Sequence, residues 1–317
     1  MIRNPSSSRF WGVTAYFNPL GYQRRRDNYR VFRQNLNLPL LTVELANGSS
    51  GSLGSDEADI LVQLTEGDVL WQKERLLNVA LAHLPPECDF VAWLDCDVVF
   101  ERTDWPDAAV KAMERLAMIQ PWQTVHDQRR DCAGPPFASD ASDANVHRQA
   151  FTRMWTRGAL PDEVFFERGW SMKLGYSPGH AWVARRELLE RHGFYDAFIL
   201  GAGDKLMASA ALGRQRDSVE AFSMTQRQYD HYLAWADPWF DSVAGKVGYL
   251  QGHLRHLWHG SLGRRRYPDR YDAFPDFHFD PYQDIALASD GSWRWSSSKP
   301  ELHRHVAGYF TARREDG

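Results

Sequence analysis

Two carboxylates one residue apart, Asp95 and Asp97, close the apolar run FVAWLDCDVVF. Carboxylates leaving the end of a buried strand are costly unless they meet solvent or a cation. On extended backbone, residues i and i+2 face the same way. Asp95 and Asp97 are therefore expected to converge on one hard divalent ion, with phosphate oxygens filling its remaining positions. An Asp-rich turn at a strand end is the plainer reading of the same residues. A second segment, GHAWVARRELLERHGFYDAFILGAGD, delivers Asp204 behind small residues only. Glycines permit close approach of a ligand, so a carboxylate held there can take a hydroxyl proton as general base. Because KLMASAAL follows, Asp204 also reads as a helix N-cap. The third segment is HLRHLWHGSLGRRRYPDR. Its His259 can supply an imidazole to the same ion, with His256 and His253 behind it. Arg264, Arg265 and Arg266, followed by Tyr267 and Arg270, form either a solvated charge run or a basic loop able to hold a diphosphate.

The elements that must position these groups alternate in the α/β manner. Trp11–Phe17 (WGVTAYF) reads as a strand ended by Asn18-Pro19 and Gly21. An amphipathic helix over Tyr22–Leu36 follows, then a strand at Leu40–Leu45, a Gly/Ser-rich acidic loop (ANGSSGSLGSDEAD) and a strand at Ile60–Leu64. Val69–Leu84 reads as a helix carrying Lys73 and Arg75, and Phe90–Leu94 as an apolar strand suited to the middle of a buried sheet. This rhythm predicts a mainly parallel sheet with helices on both faces. In such sheets ligands bind beyond the carboxyl ends of the strands. The places to look are therefore Tyr16-Phe17-Asn18 and Asp95-Cys96-Asp97. Further on, Trp105–Ile119 reads as helix, a strand falls near Met118–Val125, and Asp127–Asn145 reads as a loop. Then come a strand (HAWVA), a helix (RRELLERHG) and the turn ILGAGD.

Composition bounds the possibilities. A chain of 317 residues with 43% hydrophobic and 25% charged residues is an ordinary globular sequence, which excludes wholesale disorder, collagen and coiled coil. Forty-one acidic against 37 basic residues leave a formal charge of −4, so no bulk electrostatic grip on nucleic acid is indicated. Three cysteines, Cys88, Cys96 and Cys132, form no CxxC pair and read as reduced thiols. No run of 18 apolar residues and no N-terminal apolar region exists, so the reading is cytoplasmic, or peripheral at a membrane surface. Aromatic residues reach 13%. Trp182, with Trp170, Tyr195 and Trp258, can form a platform for sugar rings, though for each of them a place in the core is the commoner outcome.

Taken together, the sequence resembles metal-dependent, nucleotide-sugar glycosyltransferases of the GT-A fold, close to galactosyltransferase-like bacterial and viral members. The resemblance runs from about Trp11 to Arg270 and is carried by VTAYFNP, KERLLN, LDCDVVF, the segment ending in GAGD, and HLWHG. It implies a single α/β GT-A domain over 1–317, with a nucleotide-binding half at about 9–100, an acceptor half at about 101–275 and an extension beyond. It implies that Ala15, Tyr16 and Asn18 at the first strand end, and Glu44 after the second strand, hold the nucleotide. Asp95 and Asp97 chelate Mn2+ (or Mg2+) with the donor diphosphate, and His259 is a third ligand. Inverting members carry Glu-Asp at the end of the Gly-rich turn. Here the first of those positions is Gly203, and only Asp204 is carried over as base.

The reaction so implied moves a hexose from a UDP-sugar (UDP-Gal, UDP-Glc or UDP-GlcNAc type) to an acceptor hydroxyl with inversion. Lys73, Arg264 and Arg266 would support the leaving diphosphate. A glycan, a glycolipid or a modified DNA base all suit as acceptor. A metal-dependent nucleotidyltransferase is the main competing reading, but NPLGYQRRR is a poor phosphate loop for one. A non-catalytic carbohydrate-binding protein on the same scaffold is the other, and it gives no reason to keep Asp95, Asp97, Asp204 and His259 together.

Overall fold

The computed structural model describes residues 9–46, 51–130, 144–166, 174–266 and 270–317. A seven-stranded sheet forms its centre. In chain order its strands are β1 (Phe10–Phe17), β2 (Leu40–Leu45), β3 (Ile60–Leu64), β4 (Phe90–Leu94), β6 (Met118–Gln120), β10 (Ala181–Arg185) and β11 (Val247–Tyr249). Across the sheet the order is β11-β6-β10-β4-β1-β2-β3, which puts β4 in the middle. The four strands read from sequence therefore appear where expected, with β2 and β4 as near-continuous apolar runs buried on both faces. β1 pairs in parallel with β2 and β4, and β2 in parallel with β3.

Strand β10 departs from the parallel rule, running antiparallel to both β4 and β6. Its amino end consequently lies beside the carboxyl end of β4, and the Asp95 N–H donates to the His180 carbonyl at 2.7 Å. A second, five-stranded sheet has the order β5-β12-β7-β8-β9. Its strands are β5 (Val98–Phe100), β7 (Thr124–Gln128), β8 (Ala144–Ala150), β9 (Tyr176–Ser177) and β12 (His253–His256). β5 leaves directly from the turn at Cys96-Asp97, so this small sheet grows out of the end of β4.

Two apolar layers cover the main sheet. One packs Val13, Val43 and Trp93 against the Lys73–Ala82 helix and the Gly203–Ala211 helix. The other packs Leu40, Ala92 and Leu94 against Tyr29 and Phe32 of the Gln23–Asn35 helix. The expected long helix from Trp105 stops at Ala112, because Met118 and Ile119 are drawn into the sheet between β10 and β11. The ends of the expected 127–145 loop are strand, in β7 and β8. Cys132, Trp170 and Tyr267 lie outside the described residues. No helix among the described residues is long and apolar enough to cross a membrane.

Candidate active site

A cavity of about 230 Å³ opens beyond the carboxyl ends of β1 and β4. Asp95, Asp97, Lys73, Asp204, His256 and His259 all reach its wall, together with Ala15 and Phe17 from the end of β1. Segments far apart in sequence thus meet where a parallel sheet offers a ligand site.

Asp97, His256 and His259 form one group whose ligand atoms lie within 4.8 Å of one another. Asp97 Oδ2 is 3.0 Å from His259 Nε2, and Asp97 Oδ1 is 3.7 Å from His256 Nε2. Asp97 Oδ1 is buried and makes no hydrogen bond among the described residues. The far side of His256 is already fixed: its Nδ1 lies 2.5 Å from Asp127 Oδ1, and Arg148 holds Asp127 with two hydrogen bonds. A carboxylate that orients an imidazole and leaves its other nitrogen toward the cavity is the usual support of a metal-binding histidine. Burial and the neighbouring Arg265 push His259 down to about 3, which leaves it neutral and able to ligate. Burial works against the charge of Asp97, but His259, His256, Arg25 and Arg265 outweigh it and hold its carboxyl below the usual range. An orphan carboxylate oxygen, the neutral His259 imidazole, the Asp127-oriented His256 and a buttressing acid fit a divalent cation.

Asp95 does not join that group. The chain turns at Cys96-Asp97, so the i, i+2 rule for extended backbone lapses there. Asp95 accepts instead from Lys73 Nζ at 2.6 Å and from the His180 N–H at 3.2 Å. Lys73 also donates to Asp204 Oδ2 at 2.9 Å and so bridges the two carboxylates. Asp204 is not the N-cap: Ala202 occupies that place with φ of 82°, and Asp204 stands in the first turn with its side chain in the cavity. Burial, with Asp95 adding to it, raises the Asp204 carboxyl above the ordinary value, against the pull of Lys73.

Glu74 is the acid that the sequence reading missed. It is 6% exposed, accepts from Trp71 Nε1 at 2.9 Å, and leaves Oε1 without a hydrogen bond among the described residues. A Cβ on Gly203 would collide with that oxygen. The position where the resemblance implies a second acid is therefore a glycine, and a carboxylate from the neighbouring helix fills the space. Burial pushes Glu74 up to about 8, so it carries a proton at neutral pH. Its adjacency to Lys73 in KERLLN was the available signal.

A cationic wall faces these acids. Arg25, Arg148, Arg265, Arg270 and Arg313 line the cavity with Lys205. Across the opening lies the C-terminal helix, Pro300–Arg313, whose Tyr309 and Phe310 meet Trp71 and whose Phe310 ring stands edge-on to Phe17. Beyond it Glu315 is buried, bound by both Arg25 Nε and Nη2 at 2.8 Å and by Arg313 Nε at 2.6 Å, and 3.7 Å from His259 Nδ1.

Other expected residues lie elsewhere. Of the basic loop, Arg265 and Arg270 reach the cavity, whereas Arg264 and Arg266 do not, because the 3₁₀ turn at Leu262–Arg265 points neighbouring side chains different ways. Tyr16 turns to the opposite pleat from Ala15 and packs edge-on against Tyr29. Asn18 braces its own turn by bonding the backbone of Tyr22 in both directions. Glu44 is buried and saturated by Ser52, Leu53 and Gln63. Trp182 is core, stacked on Trp93 with its indole N–H on the Pro178 carbonyl. Tyr195 packs among Tyr232 and Trp235, and Trp258 lies between Arg24 and Arg130. The aromatic residues that do line the cavity are Phe17, Trp71, Tyr176, Phe222, Tyr309 and Phe310.

No family model and no curated protein matches this sequence. Among solved structures, TarS residues 1–349 from S. aureus, in complex with UDP-GlcNAc, is similar at 14% identity and a TM-score of 0.39. That match covers 80% of this chain and 60% of the TarS fragment, so this chain spans less than two thirds of its length. Glucosyl-3-phosphoglycerate synthase from Mycobacterium tuberculosis, in complex with Mn2+, UDP and phosphoglyceric acid, is similar at 13% identity and a TM-score of 0.36, covering 78% of this chain and 70% of that one. A 4-diphosphocytidyl-2C-methyl-D-erythritol synthase from Anaerococcus prevotii is similar at 9% identity and a TM-score of 0.34, covering 78% and 88%.

Proposed function

We propose that this chain is a glycosyltransferase that moves a hexose from a UDP-sugar to an acceptor hydroxyl with inversion, using Asp204 as base and a divalent ion on the diphosphate. The observation that carries this reading is the shared cavity. A cation-binding group (Asp97, His256, His259) and a buried carboxylate (Asp204) line one pocket at the strand ends, with arginines around them.

When bound, Mn2+ or Mg2+ supplies positive charge to a departing diphosphate. The rest is work for side chains. Arg265, Arg270 and Lys205 offer charge-assisted hydrogen bonds to phosphate oxygens. Lys73 stands between Asp95 and Asp204 and bonds both. Asp204 accepts the acceptor hydroxyl proton as the new C–O bond forms at the anomeric carbon, while the bond from that carbon to the diphosphate breaks with its electrons leaving on UDP. The raised affinity of Asp204 for a proton makes it the better base. Glu74, neutral beside it, adds no competing negative charge. The closing aromatic wall of Trp71, Tyr309 and Phe310 excludes water, so that transfer is favoured over hydrolysis.

The test is UDP release from a panel of UDP-sugars with and without Mn2+, on the native chain and on Asp97→Ala. Metal-dependent release that falls at least about 100-fold in the variant is expected, in line with loss of an ion's electrostatic stabilisation. Release that ignores both metal and substitution overturns the reading.

A further inference from the structure

The small sheet has a second histidine cluster on its other face. Along β7, β8 and β12 the side chains alternate. Arg148 and His256 line the cavity with Asp127 bonded between them on the same face, while His126, His147 and His253 face away. His126 and His147 are directly opposed on antiparallel strands, and β12 lies parallel on the other side with Arg255 level with His126. The three rings form a chain. His147 Nδ1 is 2.6 Å from His126 Nδ1, and His126 Nε2 is 2.9 Å from His253 Nδ1. His126 is buried, and His147 and His253 are exposed. Burial, His147, His253 and Arg255 push His126 down to about 4 against the opposite pull of Asp127, so the central ring is neutral at physiological pH.

We propose that His126 and His147 ligate a late first-row divalent ion of the Zn2+, Ni2+ or Cu2+ type through their Nδ1 atoms. His253 would accept a hydrogen bond from His126 Nε2–H. Two points carry this. Two nitrogens facing each other need either a proton or a cation between them, and a directly opposed cross-strand pair holds its Cβ atoms only about 4.5–5.5 Å apart, near enough for two imidazoles to share one ion. Second, a ligating histidine characteristically donates its other N–H to a fixed acceptor, and His253 Nδ1 is in place to receive it. An all-imidazole set selects borderline ions over Mg2+ or Mn2+. Zn–N bonds of about 2.0–2.1 Å require the two Nδ1 atoms to part to about 3.3 Å, a small ring rotation that exposed His147 supplies. Water fills the remaining positions, and the exposed rings give the entry path.

Zinc calorimetry on the chelator-treated full chain tests this. The native chain is expected to bind one equivalent more than His147→Ala, a substitution of an exposed side chain. His253→Ala should keep that equivalent with about 10–100-fold weaker affinity. The Asp97→Asn/His259→Ala double variant, stripped of the cavity group, should still bind one zinc and gain thermal stability from it, a gain lost when His147→Ala is added. Equal zinc stoichiometry for the native chain and His147→Ala overturns the proposal. So does a cavity-group variant that folds and binds no zinc.

Discussion

The two faces of the small sheet use the same strands and the same residue type to opposite ends. On the cavity face, His256 stands between Asp127 and Asp97, and carboxylates set its orientation. On the outer face, His126 stands between two other histidines. The acids suit the inner group to the hard cation and diphosphate proposed for it. Among the described residues the outer rings bond one another and no carboxylate, which favours a softer one. Residue type is thus less informative than the company each imidazole keeps, and the register of β7 against β8 and β12 decides that company.

The largest effect expected on the inner face is from Asp204→Asn. Transfer should fall about 10²–10⁴-fold, the range for loss of a general base, while calorimetry still detects Mn2+–UDP binding. Surviving transfer would move the base elsewhere. Smaller is the loss from Asp127→Asn, which leaves the cavity ligands in place but releases His256. Mn2+ affinity should drop about 10–100-fold. His147→Ala should leave Mn2+ affinity and transfer unchanged, and a parallel loss in both variants would erase the distinction between the faces. Smallest is Glu74→Gln, read in stability against pH. The folded Glu74 carboxyl is raised from 4.5 to about 8, so its contribution is present below the unfolded value and lost as pH rises toward 8. The native chain should therefore lose stability relative to the variant between those values, on the order of a few kcal/mol. Denaturant midpoints at pH 5 and pH 8 measure it. Parallel pH dependence would show Glu74 ionised throughout.

Much of the frame was legible because buried parallel strands are written as apolar runs. LLTVEL and FVAWL reveal themselves, and so do the acids at the end of FVAWL. What was not legible depends on turns and distant partners. A turn at Cys96 sends Asp95 and Asp97 to different neighbours, and no local pattern announces it. A 3₁₀ turn selects Arg265 over Arg264 and Arg266. Pleat parity puts Ala15 rather than Tyr16 in the cavity. Glu74 matters because Gly203 leaves it room, and those positions are 129 residues apart. His126 and His147 flank a segment that reads as loop, and only the register of β7 and β8 makes them a pair.

The buried Glu315 has a consequence for how the chain comes into being. Its partner Arg25 lies 290 positions earlier, in the first helix. At roughly 5–20 residues per second, a ribosome needs about 15–60 s to travel from one to the other. The strands that hold Asp97 and the helix that holds Asp204 can settle during that interval. The cavity beside them stays open to chaperones and solvent, and Arg25 stays without its buried counter-ion. The contact that closes this side of the cavity thus forms only after residue 315 has been made, and a nascent chain stalled before Glu315 carries Asp95, Asp97 and Asp204 without it.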